Sequence, residues 1–221
     1  MGSFGKIYSY PGNWRVSRAQ VVAAINGLEI DLPEFQMGQT NKSEDFLSKF
    51  PLGKVPAFEG ADGFTLTEGA AITTYLASSG PRAEQLLGSD VKTQAKIAEW
   101  TIFTEVELVS HATPPLLMMA KIVPFNSSQY DSSASAFERA LQRVEVATKG
   151  GKKYLVGEQL TLADLTVTAA LFWASGFLLD AQMAEAAPAT IGYVKTIAAT
   201  PEFSKVFGEY KTCEARVKGG A

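Results

Sequence analysis

Several groups that could bind a small peptide with charged ends lie close together between Lys54 and Glu68. Lys54 precedes a Val55-Pro56 step, and Glu68 stands at the start of the next predicted helix. The Glu68 carboxylate could accept hydrogen bonds from an ammonium group, and the free amides of a helix N-terminus bind carboxylates. Lys54 could pair with a second carboxylate. If the bond to Pro56 is cis, the Val55 backbone could pair with a peptide ligand.

Glu68 and Lys54 also have simpler interpretations. A carboxylate in the first turn of a helix interacts favourably with the helix dipole, and a lone lysine is commonly solvated. Gly69, which follows Glu68, supplies a backbone amide but no side-chain donor. The spacing of the whole stretch, more than either charge, favours a binding site.

The elements that must position these residues alternate between strand and helix in the first eighty residues. Asp62-Gly63 predicts a hairpin, Asn26-Gly27 a helix end, and Pro33 an edge strand. The predicted elements are strands at 6–10, 28–35, 56–59 and 64–66, and helices at 14–25, from Ser43 to before Pro51, and at 67–78. Their order is βαβαββα.

The chain from about residue 89 is predicted to be entirely helical, after a polar linker that begins at residue 78. A long helix extends from Ser89-Asp90 to about His111, where Pro114-Pro115 breaks or kinks it. Thr161 and Asp164 form a capping box that opens a very apolar helix to Leu179. Other helices are predicted at 131–148, 188–199 and 201–210.

Composition excludes several classes of function. Hydrophobic residues make up 46% of the chain and charged residues 19%, with a net charge of −3, so no electrostatic feature favours nucleic acid or acidic membranes. No apolar run is long enough to span a membrane, and we expect a cytoplasmic protein. One cysteine and one histidine argue against a disulfide framework and against a metal site.

Four segments together indicate a family. They are 8–15 (Tyr-Ser-Tyr-Pro-Gly-Asn-Trp-Arg), 37–43 (Met-Gly-Gln-Thr-Asn-Lys-Ser), 50–60 (Phe-Pro-Leu-Gly-Lys-Val-Pro-Ala-Phe-Glu-Gly) and 154–164 (Tyr-Leu-Val-Gly-Glu-Gln-Leu-Thr-Leu-Ala-Asp). The set resembles the glutathione transferase superfamily, and within it the transferase-like region of elongation factor one gamma. The resemblance extends to about Arg216. It implies a thioredoxin-like, glutathione-binding domain at 1–80 and an all-helical domain at 89–221.

The resemblance implies a position for glutathione, the co-substrate of this family. Glu68 and the amide of Gly69 would hold its γ-glutamyl end, Val55 before Pro56 its cysteinyl backbone, and Lys54 its glycyl carboxylate. The family usually has serine after the acid, and Gly69 lacks that hydroxyl, so we expect weaker binding.

Two residues compete for the role of stabilising the glutathione thiolate. Aligned on the Pro-Gly turn, the serine of serine-type transferases falls on Asn13, whose amide can donate to sulfur but cannot act as a base. Tyr8 lies where the first strand ends in tyrosine-type enzymes, although it could equally be a core aromatic residue. Arg15 or Arg18 could add positive potential or be solvated.

The resemblance also implies a pocket for an electrophile beside the long helix. The candidates for its wall are Trp14, Phe103, Glu107, His111 and Met118. Helical spacing predicts that Phe103, Glu107 and His111 share one face. Core packing is the alternative for Phe103 and Met118, and a structural role is the alternative for His111.

Two functions are consistent with these features. One is an enzyme that conjugates glutathione to a small electrophile, working as a homodimer. The other is a binding module that docks the exchange subunit of the elongation factor complex and need not catalyse a reaction.

Overall fold

The computed structural model describes residues 2–216. The chain divides into two compact units between Ser89 and Asp90. The first unit combines a sheet with helices, and the second is built from helices. In the described residues, no helix has both the length and the apolar character that crossing a bilayer would require.

A mixed four-stranded sheet forms the centre of the described part of the first unit. Its strands are β1 (Gly5–Tyr8), β2 (Ile30–Asp31), β3 (Ala57–Gly60) and β4 (Thr65–Thr67), in the order β2-β1-β3-β4. β1 is parallel to β2 and antiparallel to β3, which pairs with β4 through the predicted hairpin. β2 is much shorter than predicted. It is an edge strand, and Pro33 has no N–H with which to continue the ladder.

A hydrophobic cluster forms around the start of β3. Phe35, Phe46, Phe50 and Ala57 form the cluster, and Tyr8 and Val55 pack against it. Burial of each of the three phenylalanine side chains contributes about 1.5–3 kcal/mol. The cluster therefore fixes the end of β1 and the segment that enters β3, which are the two places where site residues are predicted.

The helices of the first unit are α1 (Trp14–Ile25), α2 (Glu44–Lys49), α3 (Gly69–Ser78) and α4 (Ala83–Leu87). α1, α2 and α3 agree with the prediction to within two residues. α4 corrects the prediction of a linker from residue 78. The buried Asn26 donates to Leu76 O and Ala77 O at 2.7 and 2.8 Å and accepts from Arg82 N at 2.9 Å, which ties the chain entering α4 to α1 and α3.

The helices of the second unit are α5 (Val91–Phe103), α6 (Ser110–Met119), α7 (Ser127–Thr148), α8 (Leu162–Ala174), α9 (Ala181–Ala186), α10 (Pro188–Ala198) and α11 (Pro201–Phe207). A π-helical turn at Thr104–Val109 joins α5 to α6. The predicted end of the long helix near His111 is wrong, since α6 continues through both prolines. Pro115 and Met118 are buried, so we attribute the continuation to tertiary packing, which outweighs the lost backbone bonds.

The apolar helix α8 begins at the predicted capping box but ends at Ala174 and not at Leu179. The N–H groups of Phe177, Leu178 and Leu179 all bond to Ala174 O, which closes the helix in a turn. Leu178 and Leu179 remain buried in that turn. The run of apolar residues therefore predicts burial correctly, but the helix that it predicted is longer than α8.

Asp164 does more than cap α8. Its buried carboxylate accepts hydrogen bonds from Leu155 N, Thr161 N and Tyr193 OH at 2.8 Å and from Thr161 Oγ1 at 3.0 Å. Burial raises the pKa of Asp164, and these donors act in the opposite direction. The carboxylate joins the loop before α8 to α10, a role that the sequence pattern does not show.

Candidate functional site

The peptide bond between Val55 and Pro56 is cis, which is the isomer on which the suggested pairing of the Val55 backbone with a peptide ligand depends. Pro56 is buried, Val55 is partly buried and Lys54 is exposed. Just before them, Asn41 Nδ2 donates to Gly53 O at 2.8 Å, and its Oδ1 accepts from Gly38 N at 2.6 Å. Asn41 thus fastens the loop before α2 to the segment that enters β3.

Glu68 occupies a strained backbone conformation between β4 and α3. Its φ is 64° and its ψ is 115°, outside the regions that residues with a side chain prefer. Such a conformation costs about 1–3 kcal/mol and is found most often where function requires it. The Glu68 side chain is exposed and does not cap its own helix. The exposed Glu68 immediately precedes the first amides of α3, which have no partner within the helix.

Gly69 provides space for the side chain of Arg15. A Cβ at Gly69 would lie 3.0 Å from Arg15 Cδ and 3.3 Å from Arg15 Cβ, so the arginine stem covers the glycine directly. The Arg15 guanidinium carbon lies 4.8 Å from the centre of the Trp14 ring. Because Gly69 has no side chain, Arg15 of α1 can lie against the first turn of α3. The sequence does not reveal this contact.

Asn13 is the N-cap of α1. Its Oδ1 accepts from Arg15 N at 3.1 Å, and its Nδ2 donates to Ser9 Oγ at 2.9 Å. The residue is only 4% exposed, whereas Ser9 is partly exposed. Ser9 lies within the 8–15 motif but is not among the site residues predicted from the sequence. The signal that could have found it is its place immediately after β1 and four residues before Asn13.

Tyr8 points towards a different set of partners. Its hydroxyl donates to Glu59 Oε2 at 2.8 Å, and its ring meets Phe46 and Phe50 edge-on. Partial burial alone would raise the pKa of Glu59. Hydrogen bonds from Tyr8, Lys49 and Lys6 stabilise the carboxylate more strongly, so the pKa of Glu59 lies below its usual value. The Tyr8 hydroxyl therefore already donates its proton to a carboxylate, which favours the alternative that Tyr8 is a core aromatic residue.

The predicted wall residues of the electrophile pocket differ in exposure. Phe103 and Met118 are buried, and the Phe103 ring packs between Trp100 and the Arg143 guanidinium, as the core interpretation requires. Glu107 is exposed, and its Oε2 lies 3.5 Å from His111 Nε2. The π-helical turn at Thr104–Val109 has wider turns than an α-helix, so residues four apart there no longer lie directly above one another. Phe103 therefore does not share the exposed face of Glu107, contrary to the α-helical spacing.

The last candidate for the pocket wall belongs to the first unit. Trp14 is 5% exposed at the start of α1. Its ring lies beneath the guanidinium groups of Arg15 and Arg18, at 4.8 and 5.2 Å from the ring centre. These cation–π contacts indicate that the indole helps to position the two arginines.

An α/β unit with a cis proline before β3 and an acid at the start of α3, followed by a helical unit, defines the glutathione transferase class. The profile of "Glutathione S-transferase, N-terminal domain" matches residues 3–78, and that of "Glutathione S-transferase, C-terminal domain" matches residues 108–201. The chain belongs to the glutathione S-transferase family.

Two kinds of relative are similar in sequence. Glutathione S-transferase-like protein LUC7 of Fusarium sp is 43% identical over 94% of both chains. Human elongation factor 1-gamma is 35% identical over 95% of this chain, which spans 48% of the length of that protein.

Solved structures show the same fold. The GST-like domain of elongation factor 1-gamma from Saccharomyces cerevisiae covers the whole chain with a TM-score of 0.84 and 24% identity. The glutathione transferase URE2P6 of Phanerochaete chrysosporium, in complex with oxidized glutathione, covers 93% of this chain and 96% of its own, with a TM-score of 0.84 and 20% identity.

Proposed function

We propose that this protein is a glutathione transferase that joins glutathione to a small electrophile, with the cytoplasm as its compartment. The observation that carries the proposal is the strained, exposed Glu68 at the first turn of α3. Strain of this kind is retained where a ligand requires the geometry. The cis Val55-Pro56 bond, in the segment entering β3, is the second supporting feature.

Glutathione has a charged group for each part of this site. Its γ-glutamyl ammonium would bind Glu68, and the neighbouring carboxylate would accept from the free amides of α3. The positive charge of Arg15, whose stem covers Gly69, would compensate in part for the serine hydroxyl that is absent there. Val55 would pair with the cysteinyl backbone, and Lys54 would attract the glycyl carboxylate.

The chemistry requires the thiol to lose its proton. A free thiol has a pKa of about 8.5, and a hydrogen bond donated to the sulfur lowers it. The proton passes to solvent, the thiolate sulfur attacks an electrophilic carbon, and the group displaced from that carbon leaves with its bonding electrons. We assign thiolate stabilisation to the Asn13 side chain, because the Tyr8 hydroxyl already donates to Glu59.

Asn13→Asp and Tyr8→Phe should separate the two roles. Asp keeps the oxygen that caps α1 but lacks the N–H donors, so kcat/KM for conjugation should fall about 10–100-fold, as expected for a lost hydrogen bond to a charged group. Tyr8→Phe should change kcat/KM less than about threefold, because that proton serves Glu59. Steady-state kinetics with an activated aryl chloride measure both. A larger loss in Tyr8→Phe would reverse the assignment.

The proposed enzyme is a homodimer, and α5 offers the surface for it. Exposed apolar residues follow one side of α5 and continue into the π-helical turn: Val91, Ala95, Ala98, Ile102 and Val106. Val91, Ile102 and Val106 are 53–78% exposed in the single chain. A two-fold axis would let this stripe bury itself against its own copy.

Light scattering coupled to gel filtration should give about twice 23.7 kDa at micromolar concentration. Ile102→Asp should shift the protein to monomer, because it places a charge within the apolar stripe. Val146→Asp is the matched control, since Val146 is 67% exposed on α7 and should leave the dimer intact. A wild-type monomer would refute the homodimer.

The second candidate is a module that docks the exchange subunit of the elongation factor complex. The similarity to elongation factor 1-gamma over 95% of the chain favours it, as does the absence of a hydroxyl at Gly69. A monomer without conjugating activity would support this candidate over the enzyme.

A further inference from the structure

We propose that Asn41 is a positioning residue for glutathione, which acts on the ligand through the backbone that carries Lys54 and Val55. This inference rests on the proposed function and adds to that site a residue that holds the binding groups in place. Its basis is the Asn41 side chain, which joins the loop before α2 to the peptide plane that precedes Lys54.

The orientation of the Asn41 amide is fixed from both ends. Oδ1 accepts from Gly38 N at 2.6 Å, and Nδ2 donates to Gly53 O at 2.8 Å. Rotating the amide by half a turn would place an N–H against the Gly38 N–H and a carbonyl oxygen against Gly53 O. Both ends of the amide are therefore engaged within the protein, so the influence of Asn41 on a ligand passes through Gly53.

The two backbones meet closely at this point. A Cβ at Gly53 would lie 2.8 Å from Asn41 O and 3.4 Å from Leu47 Cδ2, and Gly53 has a φ of 60°. The close approach and the left-handed conformation both require glycine here. Gly53 N also donates to Phe50 O at 2.9 Å. The Gly53 backbone is therefore held on two sides, by its own turn and by Asn41.

The loop that carries Asn41 has hydrogen bonds of its own. Thr40 N donates to Gln36 O at 2.9 Å, and Thr40 Oγ1 accepts from Gln36 N at 3.0 Å. Ser43 Oγ donates to Thr40 O at 2.9 Å, and Ser43 is also the N-cap of α2. Asn41 therefore extends from a braced loop, and its bond to Gly53 O fixes the segment that enters β3 relative to α2.

The carbonyl that Asn41 holds belongs to the peptide plane between Gly53 and Lys54. Because that plane is rigid, its orientation sets the direction in which the exposed Lys54 side chain and the Val55 backbone leave it. Without the bond, this segment would have to be ordered when glutathione binds, and the lost conformational entropy would reduce the affinity. Asn41 should therefore affect glutathione binding and leave the thiol chemistry, which is assigned to Asn13, unchanged.

Asn41→Ala removes the bond to Gly53 O without adding a charge. Calorimetric titration should show about tenfold weaker glutathione binding, and KM for glutathione should rise by a similar factor. kcat at saturating glutathione should change less than about twofold, because the lost interaction contributes equally to the ground state and the transition state. Thr40→Val is the matched control, since it removes the bond from Gln36 N within the same loop and should keep the wild-type affinity.

A double-mutant cycle with Lys54→Ala tests the route of the effect. In the Lys54→Ala protein, Asn41→Ala should weaken glutathione binding only about threefold, because one of the groups that Asn41 positions is already missing. Losses of affinity that simply multiply would show that the two residues act independently and would overturn the proposed route.

Separate outcomes distinguish this inference from the proposed function. Wild-type affinity in Asn41→Ala, or an equal loss of affinity in Thr40→Val, would overturn the role of Asn41 and leave glutathione as the ligand. If Asn41→Ala fails to fold, Asn41→Ser replaces it with the same expected result, because a serine side chain is too short to bridge Gly38 N and Gly53 O. No glutathione binding by the wild-type protein would overturn the proposed function itself, and the role of Asn41 with it.

Discussion

Asp164→Ala is expected to lower the free energy of unfolding by about 3–5 kcal/mol, a large effect for one substitution. The substitution leaves the N–H groups of Leu155 and Thr161 and the hydroxyl of Tyr193 without their acceptor, in a place where the native carboxylate is fully buried. Each buried donor that loses its partner costs about 1–3 kcal/mol, and partial access of water reduces the sum.

Urea denaturation of the wild type and the variant measures this loss. Tyr193→Phe is the matched control, because it removes one donor and keeps the ring, and it should cost only about 1 kcal/mol. A loss below about 1.5 kcal/mol in Asp164→Ala would show that water replaces the carboxylate readily, and that Asp164 does not join the loop to α10 as described.

Glu68→Ala is expected to weaken glutathione binding by about 10–100-fold, because it removes a charged acceptor for the γ-glutamyl ammonium. Glu68→Gly should weaken binding similarly but raise the stability of the free protein by up to about 1 kcal/mol, since glycine adopts a φ of 64° without strain. Weaker glutathione binding together with higher stability in Glu68→Gly would show that the strained conformation of Glu68 serves ligand binding.

Calorimetric titration with glutathione and thermal denaturation measure the two effects. Glu84→Ala is the matched control, because Glu84 is an exposed acid near the N-terminus of α4, a helix of the same unit. It should leave glutathione affinity unchanged. Equal affinities of wild type and Glu68→Ala would remove Glu68 from the site.

The parts of the fold that follow from local sequence are predictable. The N-cap of α2 at Ser43, the Thr161–Asp164 capping box and the hairpin at Asp62-Gly63 each depend on residues within a few positions of one another. The cis Val55-Pro56 bond also belongs to a short motif. Such signals specify where elements begin and end because their partners are fixed by the backbone itself.

The rest depends on residues that are distant in sequence. The pairing of Tyr8 with Glu59 joins two strands, and the cover of Gly69 by Arg15 joins two helices. The buried Glu145 of α7 accepts a hydrogen bond from Thr190 N at 2.8 Å and so caps the N-terminus of α10. Neither composition nor periodicity encodes these contacts. This explains why the sequence could name Asn13 and Tyr8 as rivals but could not choose between them.

The rate of conjugation of glutathione to an activated aryl chloride is the most direct test of the proposed transferase. The purified wild-type protein should accelerate formation of the sulfur–carbon bond above the uncatalysed rate. The rate should saturate with glutathione and fall about 10–100-fold in Asn13→Asp. No acceleration by the wild type, together with no calorimetric binding at millimolar glutathione, would contradict the assignment of this chain as an enzyme.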